Sequence, residues 1–357
     1  MRTVYLFNPE NDLALAFGGV NYTATPRGKL MARDLAVLPA WLARPGDAVV
    51  VDDDSQRAWL DSLGLGVDSV CSSELASLDK CRFQPWGWSA SVRRRLQSRG
   101  VADAMLPTAG QVDAVCALSH RRLTVDIHRR VGELLGRELS PLPVELSDVA
   151  SVQAFIAASG GCHLKLPWSG SGHGIYRTAD PQEDHMLRWV AGGLRRQGSL
   201  LCEKTLRRLQ DFGTEWWSEG GRVRFVGYSV FETDAHSQYA LGKVAPGSQL
   251  HQMLSERFPA PDAVVSALES ALTGLVAPRY EGPLGVDMMY YLDDAGNTCI
   301  NPCVEVNVRL TMGHLTLALA ERHGMEGNFR IVPVERSAGR RLTPVLPGTR
   351  MVAEVVG

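Results

Sequence analysis

The sequence predicts a mixed α/β and α+β architecture, in which a small parallel α/β domain precedes two lobes built on antiparallel strands. In the first hundred residues, apolar strand patterns at 4–7 and 48–51 alternate with helical patterns that begin at 26 and 56. This alternation is typical of a parallel sheet covered by helices. Beyond residue 160, apolar strands meet at turns rich in Gly, Ser or Asp, which indicates antiparallel hairpins. We therefore expect three units, at 1–112, 113–199 and 200–357.

The composition is that of an ordinary globular chain and gives no sign of a nucleic-acid or membrane partner. Of its 357 residues 45% are hydrophobic and 21% are charged, and the formal net charge of −2 at pH 7 provides no basic field. No run of about 18 apolar residues is present to span a bilayer, and the apolar amino-terminal run is too short for a signal peptide. Seven cysteines without a CxxC pair favour free thiols in a reducing compartment. We expect a cytoplasmic protein.

Two segments of the N-terminal domain are candidates for contact with a ligand. The polar stretch Asn8 to Asp12 follows the first strand, at the carboxyl edge of the predicted sheet, where α/β proteins bind ligands. A plain turn is the commoner explanation of such residues. The aromatic turn Trp86 to Trp88 precedes a basic helix at 92–98, and its tryptophans either line a pocket or, more often for aromatic residues, pack into a core.

A basic helix start and a glycine-serine loop predict an anion site in the middle of the chain. Arg121 and Arg122 begin an amphipathic helix, where the helix dipole disfavours positive charge unless an anion is near; a solvated surface is the alternative. Lys165 lies on the next strand, and the loop Ser169 to Gly174 can wrap backbone N–H groups around phosphate oxygens or form a plain turn. Because this loop joins two strands, it is neither a Walker loop nor a dinucleotide fingerprint.

The hairpin at 286–308 carries the strongest functional pattern. Glu305, Asn307 and Arg309 alternate with valines, so the three polar side chains share one face of a strand. With Asp287 on the partner strand, these carboxylate and amide oxygens suit Mg²⁺, which proteins hold with few carboxylates plus substrate phosphates. Arg309 can then contact the phosphoryl oxygens. The alternative is a half-exposed strand with polar residues facing water.

The remaining elements follow from periodicity and turn signals. Helices are expected at 147–159, 262–277 and 315–323. Strands are expected at 199–203, 213–217 and 223–231. A polar loop at 233–243 could cover a site, and residues 329–357 are expected to form short edge strands.

In this order, the motifs LSHRR, LKLPWSGSGHGI, CEKTL, GTEWW, GVDMM and VEVNVR resemble those of the ATP-grasp superfamily. The resemblance covers about residues 119–313, and the residues before it look like the small Rossmann-like domain that precedes the ATP-grasp fold. It implies two α+β lobes that clamp ATP, with Mg²⁺ as the metal and Mn²⁺ as an alternative ion.

The resemblance also assigns residues to the ATP site. It implies phosphate contacts from the basic and loop residues Arg121 (or Arg122), Lys165, Ser169, Gly170, Ser171 and Gly172. It implies that Glu203 binds the adenine amino group, that the Lys204 and Leu206 backbones contact the ring, and that Glu215 binds the ribose. The implied metal ligands are Asp287, Glu305 and Asn307, and the implied catalytic residues are Lys165 and Arg309. This sequence departs from the family in having arginine where lysine is usual at residue 121 and a long adenine-to-ribose connection.

The implied reaction is that of an ATP-dependent carboxylate–amine ligase, which activates a carboxylate as an acyl phosphate and joins it to an amine. The substrates would be small-molecule or peptide-like, with a homodimer as an open alternative to a monomer. Two other functions are compatible with the same motifs: a kinase that phosphorylates a small-molecule hydroxyl, and a nucleotide-binding module without catalysis. Asn8 to Asp12, Trp86 to Trp88 and His236 to Lys243 are candidate acceptor contacts by position only.

Overall fold

The N-terminal domain is a parallel sheet flanked by helices, as expected. The structure is a computed structural model that describes residues 1–170, 174–234 and 238–357. The strands of this domain are β1 (Arg2–Leu6), β2 (Ala48–Val51), β3 (Asp68–Cys71) and β4 (Cys81–Pro85), parallel and ordered β3-β2-β1-β4. The helices are α1 (Asn11–Phe17), α2 (Pro26–Asp34), α3 (Asp54–Ser62) and α4 (Ala90–Ser98). The side chains of Thr25, Asp53 and Ser89 cap the last three by accepting backbone N–H groups.

Helix α1 was not predicted. The stretch Asn8 to Asp12 was expected to be a turn, whereas the helix begins at Asn11. No side chain caps its first turn, so the sequence carries no start signal at this point.

The middle of the chain forms a small antiparallel lobe. Helices α5 (Ala109–Leu118) and α6 (Arg122–Leu135) lead into it. Its strands are β5 (Val144–Leu146), β6 (Cys162–Lys165), β7 (Ile175–Thr178) and β8 (Leu200–Lys204), ordered β5-β8-β6-β7. Helices α7 (Val149–Ser159) and α8 (Asp184–Gln197) pack on this sheet through Val152, Ile156, Met186 and Val190. A division after Lys204 therefore fits the sheets better than the expected one at residue 199, and the expected division at residue 112 falls inside α5.

The large lobe is an eight-stranded sheet ordered β13-β12-β9-β10-β11-β14-β16-β15. Its first strands are β9 (Arg207–Glu219), β10 (Arg222–Thr233), β11 (Tyr239–Val244), β12 (Gly282–Leu292) and β13 (Thr298–Asn307). Its last strands are β14 (Gly327–Pro333), β15 (Arg340–Arg341) and β16 (Met351–Val356). The helices of this lobe are α9 (Gly247–Arg257), α10 (Asp262–Leu275) and α11 (Met312–His323). Helices α6 and α10 cover one face through Ile127, Val131, Leu268 and Leu272.

Two expectations for this lobe were wrong. Residues 239–243, expected in a polar loop, form most of β11 and pair with β10 and β14. Strands β14 and β16 lie inside the sheet rather than at its edge, and only β15 ends it on that side. The local sequence does not distinguish edge strands from interior strands of this sheet, because the strands that pair are distant in the chain.

The N-terminal domain and the large lobe share one hydrophobic core. Leu35, Leu38 and Trp41 pack in the same cluster as Leu315 and Phe329. The indole Nε1 of Trp41 donates to the carbonyl of Leu342 at 2.8 Å. This shared core fixes the carboxyl edge of the parallel sheet relative to the acidic hairpin. In the part of the chain that the structure describes, no helix is both long and apolar enough to cross a membrane.

We predict that Asp34→Ala destabilises this junction. The fully buried carboxylate of Asp34 accepts the backbone N–H groups of Arg350 and Met351 at 2.8 and 3.0 Å. Removing it leaves both half-buried donors without their acceptor, which should lower the free energy of unfolding by about 2 to 4 kcal/mol. Urea denaturation measures this change. Asp61→Ala, at an exposed position of α3, is the control and should change stability by less than about 0.5 kcal/mol; equal effects of the two variants would contradict the prediction.

Candidate nucleotide and metal site

One face of the large sheet gathers acidic and amide side chains from three adjacent strands. In the pairing of β12 with its neighbours β9 and β13, Asp287 lies between Gly213 and Glu305. Gly285, two residues earlier on the same strand, lies between Glu215 and Asn307. Because side chains alternate along a strand, these groups point to one side, opposite the face packed against α6 and α10. The glycines at 213 and 285 leave room for the carboxylates beside them, since a Cβ on Gly285 would lie 2.8 Å from Glu215 Oε2.

The three expected metal ligands lie together on this face. The amide of Asn307 donates to Asp287 Oδ2 at 3.3 Å, and its carbonyl oxygen accepts from Arg309 Nη2 at 2.8 Å. Burial and the charges of Glu305 and Glu215 raise the pKa of Asp287 to about 8, against the opposing effects of Arg309 and of the hydrogen bond from Asn307.

These ligands fit a hard divalent cation only in part. Among the described residues, no group of three or more His, Cys, Asp and Glu side chains is arranged to hold a metal ion. Two carboxylates and one amide match Mg²⁺ whose remaining ligands are phosphate oxygens and water. The protein residues alone do not form a closed metal cage.

Arg121 joins the glycine-serine loop to the acidic hairpin. Its guanidinium is buried and donates to Ser169 Oγ at 3.1 Å and to the carbonyl of Leu166 at 3.1 Å. It also pairs with Glu305 at 2.9 Å, while its Nη1 has no partner in the described part of the chain. Arg122 is 58% exposed and pairs with Glu145 instead, so Arg121 is the arginine that faces the site.

Lys165 and Glu203 form a second buried pair. Their charged atoms are 2.6 Å apart, and Lys165 Nζ also lies 3.5 Å from the carbonyl of Val304 on β13. Glu203 Oε1 is buried without a hydrogen-bond partner among the described residues, so it is free to accept from a ligand. The side chain of Lys204 points elsewhere, to Asp294 at 2.9 Å, and Leu206 follows directly in the connection to β9.

Arg309 is held by a residue of α1 rather than by the hairpin alone. Its Nε and Nη2 donate to the two carboxylate oxygens of Asp12 at 2.9 and 2.8 Å, a bidentate pair. Burial alone would lower the pKa of Arg309, but the charge and hydrogen bonds of Asp12 raise it. Gly170 packs on the same carboxylate, since a Cβ there would lie 2.4 Å from Asp12 Oδ2. Asp12 therefore connects the N-terminal domain to both the loop and the hairpin.

Glu215 does not fit the expected ribose contact. Its carboxylate is 4% exposed, pairs with His314 at 2.9 Å and accepts from Thr311 and Ser229 at 2.6 and 2.8 Å. Burial would raise the pKa of Glu215, but the charge of His314 and these hydrogen bonds outweigh it and lower the pKa. Both of its oxygens already accept from protein groups among the described residues.

Asp211 is a second candidate, which sequence reasoning missed; its Oδ2 pairs with Arg208 at 2.7 Å and accepts from Thr233 Oγ1 at 3.4 Å. It lies on β9 two and four residues before Gly213 and Glu215, and therefore on the acidic face. Burial raises its pKa, and the charges of Arg208 and Lys165 act in the opposite direction, which indicates that it lies near the Lys165 pair. The sequence signal that could have identified Asp211 is its two-residue spacing from Gly213, because residues two apart lie on the same face of a strand.

Asn8 and the two tryptophans, from the segments singled out in the N-terminal domain, are structural. Asn8 is fully buried and donates to the carbonyl of Gly87 at 2.9 Å. Trp86 is 3% exposed and stacks edge-on against Phe7 in the shared core, and Trp88 is packed against core residues. The core interpretation of the tryptophans is therefore the correct one. Ser171 and Gly172 of the loop, and His236, lie outside the described residues.

The cleft between loop and hairpin is narrow in this conformation. Asp12, Ser169, Glu305 and Asn307 enclose a cavity of about 10 Å³, which is room for about one water molecule. The cations at residues 121, 165 and 309 are each paired with a carboxylate. A polyphosphate can enter only if these pairs separate and the segment around Ser169 moves away from the hairpin.

Comparisons with known proteins identify the fold. No protein-family model and no curated protein matches the sequence. The biotin carboxylase domain of 2-oxoglutarate carboxylase from Hydrogenobacter thermophilus, solved as a dimer with MgADP, ADP and bicarbonate, matches with a TM-score of 0.55 at 12% identity, over 90% of this chain and 83% of that one. Biotin carboxylase from Campylobacter jejuni, solved in a β,γ-ATP complex, matches at 0.54 and 12% identity, over 99% and 87%.

A third solved structure, D-alanyl-alanine synthetase A from Vibrio cholerae, matches with a TM-score of 0.50 at 11% identity, over 91% of this chain and 94% of that one. All three are ATP-grasp enzymes, and at this level of identity the likeness concerns the fold. The predicted fold class is therefore confirmed: this chain has the ATP-grasp fold, preceded by a Rossmann-like parallel domain.

Proposed function

We propose that this protein is an ATP-dependent ligase that activates a substrate carboxylate as an acyl phosphate and joins it to an amine, with release of ADP and phosphate. The observation that carries the proposal is the convergence of Arg121, Lys165 and Arg309 on the face that holds Asp287 and Glu305. Three cations beside a metal-binding face match the charge of a magnesium triphosphate. The occurrence of D-alanyl-alanine synthetase A among the similar structures supports this class of reaction.

In the proposed complex, the nucleotide replaces the carboxylate partners of the basic residues. Lys165 and Arg121 leave Glu203 and Glu305 and bind phosphate oxygens, and the unpartnered Oε1 of Glu203 accepts the adenine amino group. Asp211 accepts from the ribose hydroxyls. Asp287, Glu305 and Asn307 would hold Mg²⁺, which would supply positive charge beside the phosphates. The backbones of Lys204 and Leu206 contact the adenine ring.

The reaction needs no nucleophilic side chain. A carboxylate oxygen of the substrate attacks the γ-phosphorus, the bond to the β,γ-bridging oxygen breaks, and ADP leaves. The amine nitrogen then attacks the acyl carbon, the carbon–oxygen bond to phosphate breaks, and the nitrogen loses a proton. Lys165 and Arg309 stabilise the charge that develops on the transferred phosphoryl group, which is the main catalytic contribution in such transfers.

We predict that Lys165→Ala lowers amine-dependent ADP release by about 10²-fold or more, because one electrostatic contact to the transition state is lost. A coupled assay measures ADP release over a screen of amino acids and short peptides. Lys204→Ala is the control, since this side chain points to Asp294 and only its backbone is assigned to the nucleotide; its activity should stay near that of the wild type.

Three outcomes of that screen would contradict the proposal. Wild-type turnover by Lys165→Ala would remove the catalytic assignment. A stable phosphorylated product formed without an amine would indicate the kinase. Binding of ATP without hydrolysis under any substrate would indicate a nucleotide-binding module.

We predict that Asp211→Ala abolishes recognition of the ribose. The wild type should bind ATP about tenfold or more tightly than 2′,3′-dideoxy-ATP, because hydrogen bonds to a carboxylate are lost in the analogue. In Asp211→Ala the two affinities should become equal, as measured by calorimetry. Asp294→Ala removes an exposed carboxylate of the neighbouring hairpin turn and should keep the preference. If Asp211→Ala still preferred ATP to the dideoxy analogue, another residue would bind the ribose.

A further inference from the structure

A cavity of about 450 Å³ opens beside the parallel sheet of the N-terminal domain. Leu6, Val50 and Asp52 at the ends of β1 and β2 form its floor. It therefore lies at the carboxyl edge of the sheet, where open α/β sheets bind ligands, and its volume is that of a small-molecule site. None of the residues assigned above to the nucleotide or the metal lines it.

One wall of the cavity is a basic face of α4. The polar residues of this helix and its C-cap that line the cavity follow the helical spacing of one face, with Leu96 beside them, namely Ser91, Arg94, Arg95, Ser98 and Arg99. Lys29 and Arg33 of α2 line the cavity from the other side. Arg33 is balanced by Asp34, so four cations stand against the two carboxylates that line the cavity, Glu10 and Asp52. Positive charge is thus in excess at this point of a chain whose formal net charge is −2.

Most of these cations are free to bind a ligand. Arg94, Arg99 and Lys29 are exposed and have no ion-pair partner in the described part of the chain. Arg95 lies 3.5 Å from Glu10, which is a loose contact. Arg33 alone is firmly held, by Asp34 and by the carbonyl of Gly348.

The arginines converge on one region of the wall. Burial and the neighbouring Asp53 raise the pKa of Asp52, whereas the charges of Arg33, Arg99 and Arg95 lower it. Side chains from two helices and a strand end therefore lie within electrostatic range of one another. Such a cluster repels itself unless an anion occupies the space between its members.

Two buried polar atoms of the cavity wall lack partners. Glu10 Oε2 and Tyr22 Oη are both buried and make no hydrogen bond within the described residues. Buried polar groups are normally hydrogen-bonded, since an unpaired one costs free energy. A ligand that carries a hydroxyl or ammonium group as well as its anionic groups would satisfy both atoms.

The cavity adjoins the proposed reaction centre across the start of α1. Glu10 faces the cavity, and Asp12, two residues further on, holds Arg309. Two residues span at most about 7 Å. The basic wall and the acidic face therefore lie on the two sides of the start of α1.

We propose that this cavity binds the carboxylate substrate of the ligase, and that this substrate is a small polyanion, a polycarboxylate or a phosphate ester, that also carries a hydroxyl or ammonium group. The claim that the ligand is the substrate rests on the proposed function. The chemical class of the ligand rests on the cavity alone. The enclosed size of the site selects a small molecule rather than an extended polyanion such as nucleic acid.

Calorimetric titration without nucleotide tests the chemistry of the site, with citrate and glycerol 3-phosphate as probes for the two sources of charge. The wild type should bind at least one of them. Substituting both Arg94 and Arg99 by Ala should weaken that binding by about tenfold or more, because charge-assisted hydrogen bonds are lost. Tricarballylate, which lacks only the hydroxyl of citrate, should bind more weakly than citrate if citrate is the probe that binds.

Arg27→Ala is the matched control, since Arg27 is an exposed arginine of α2 that does not line the cavity. It should leave binding unchanged. The proposal is overturned if the wild type binds neither probe, if Arg27→Ala weakens binding as much as the double variant does, or if a non-hydrolysable ATP analogue displaces the probe.

This experiment separates the inference from the proposed function. Lys165→Ala should bind the probe as the wild type does, because Lys165 does not line the cavity. Loss of probe binding only in the Arg94 and Arg99 variant supports the cavity even if the ligase assay fails. Ligase activity that is unaffected by that double variant would leave the proposed function intact and overturn the substrate site.

Discussion

The arrangement of the site depends on three cations that are each paired with a carboxylate from a different segment. Arg121 pairs with Glu305, Lys165 with Glu203, and Arg309 with Asp12. Each pair joins elements that are separated in the chain, so together they bring the loop, the hairpin, the end of β8 and α1 around one face. Because these groups are largely buried, loss of one partner would leave an uncompensated charge, which is far more costly than loss of a surface pair.

In this conformation the site is closed, because its cations and carboxylates bind one another. Buried ion pairs contribute little net stability, since desolvation offsets most of their attraction. They are therefore suited to exchange, in which phosphate oxygens replace carboxylates as partners of the cations and a metal ion replaces the cations beside the carboxylates. The unpartnered Nη1 of Arg121 and Oε1 of Glu203 mark positions where this conformation leaves bonding capacity unused.

The sequence allowed the hairpin and the two strands that flank the loop to be predicted, because these rest on local patterns. The alternation of Glu305, Asn307 and Arg309 with valines requires only the two-residue period of a strand. The involvement of Asp12 could not be predicted, because it depends on an uncapped seven-residue helix meeting a strand end 297 residues away. The burial of Glu215 depends equally on Thr311 and His314 of a later helix. The spacing of Ser91, Arg94, Arg95, Ser98 and Arg99 was visible as a basic helix, but only the sheet shows that this face lines a cavity.

The central claim is that the loop at Ser169 and the hairpin at Asp287 and Glu305 together hold a magnesium triphosphate. A crystal structure with a non-hydrolysable ATP analogue and Mg²⁺ tests it most directly. The account predicts phosphate oxygens on Lys165 and Arg121, metal density beside Asp287 and Glu305, and the base next to Glu203. Nucleotide bound elsewhere, with Lys165 still paired to Glu203 and Arg121 to Glu305, would contradict it.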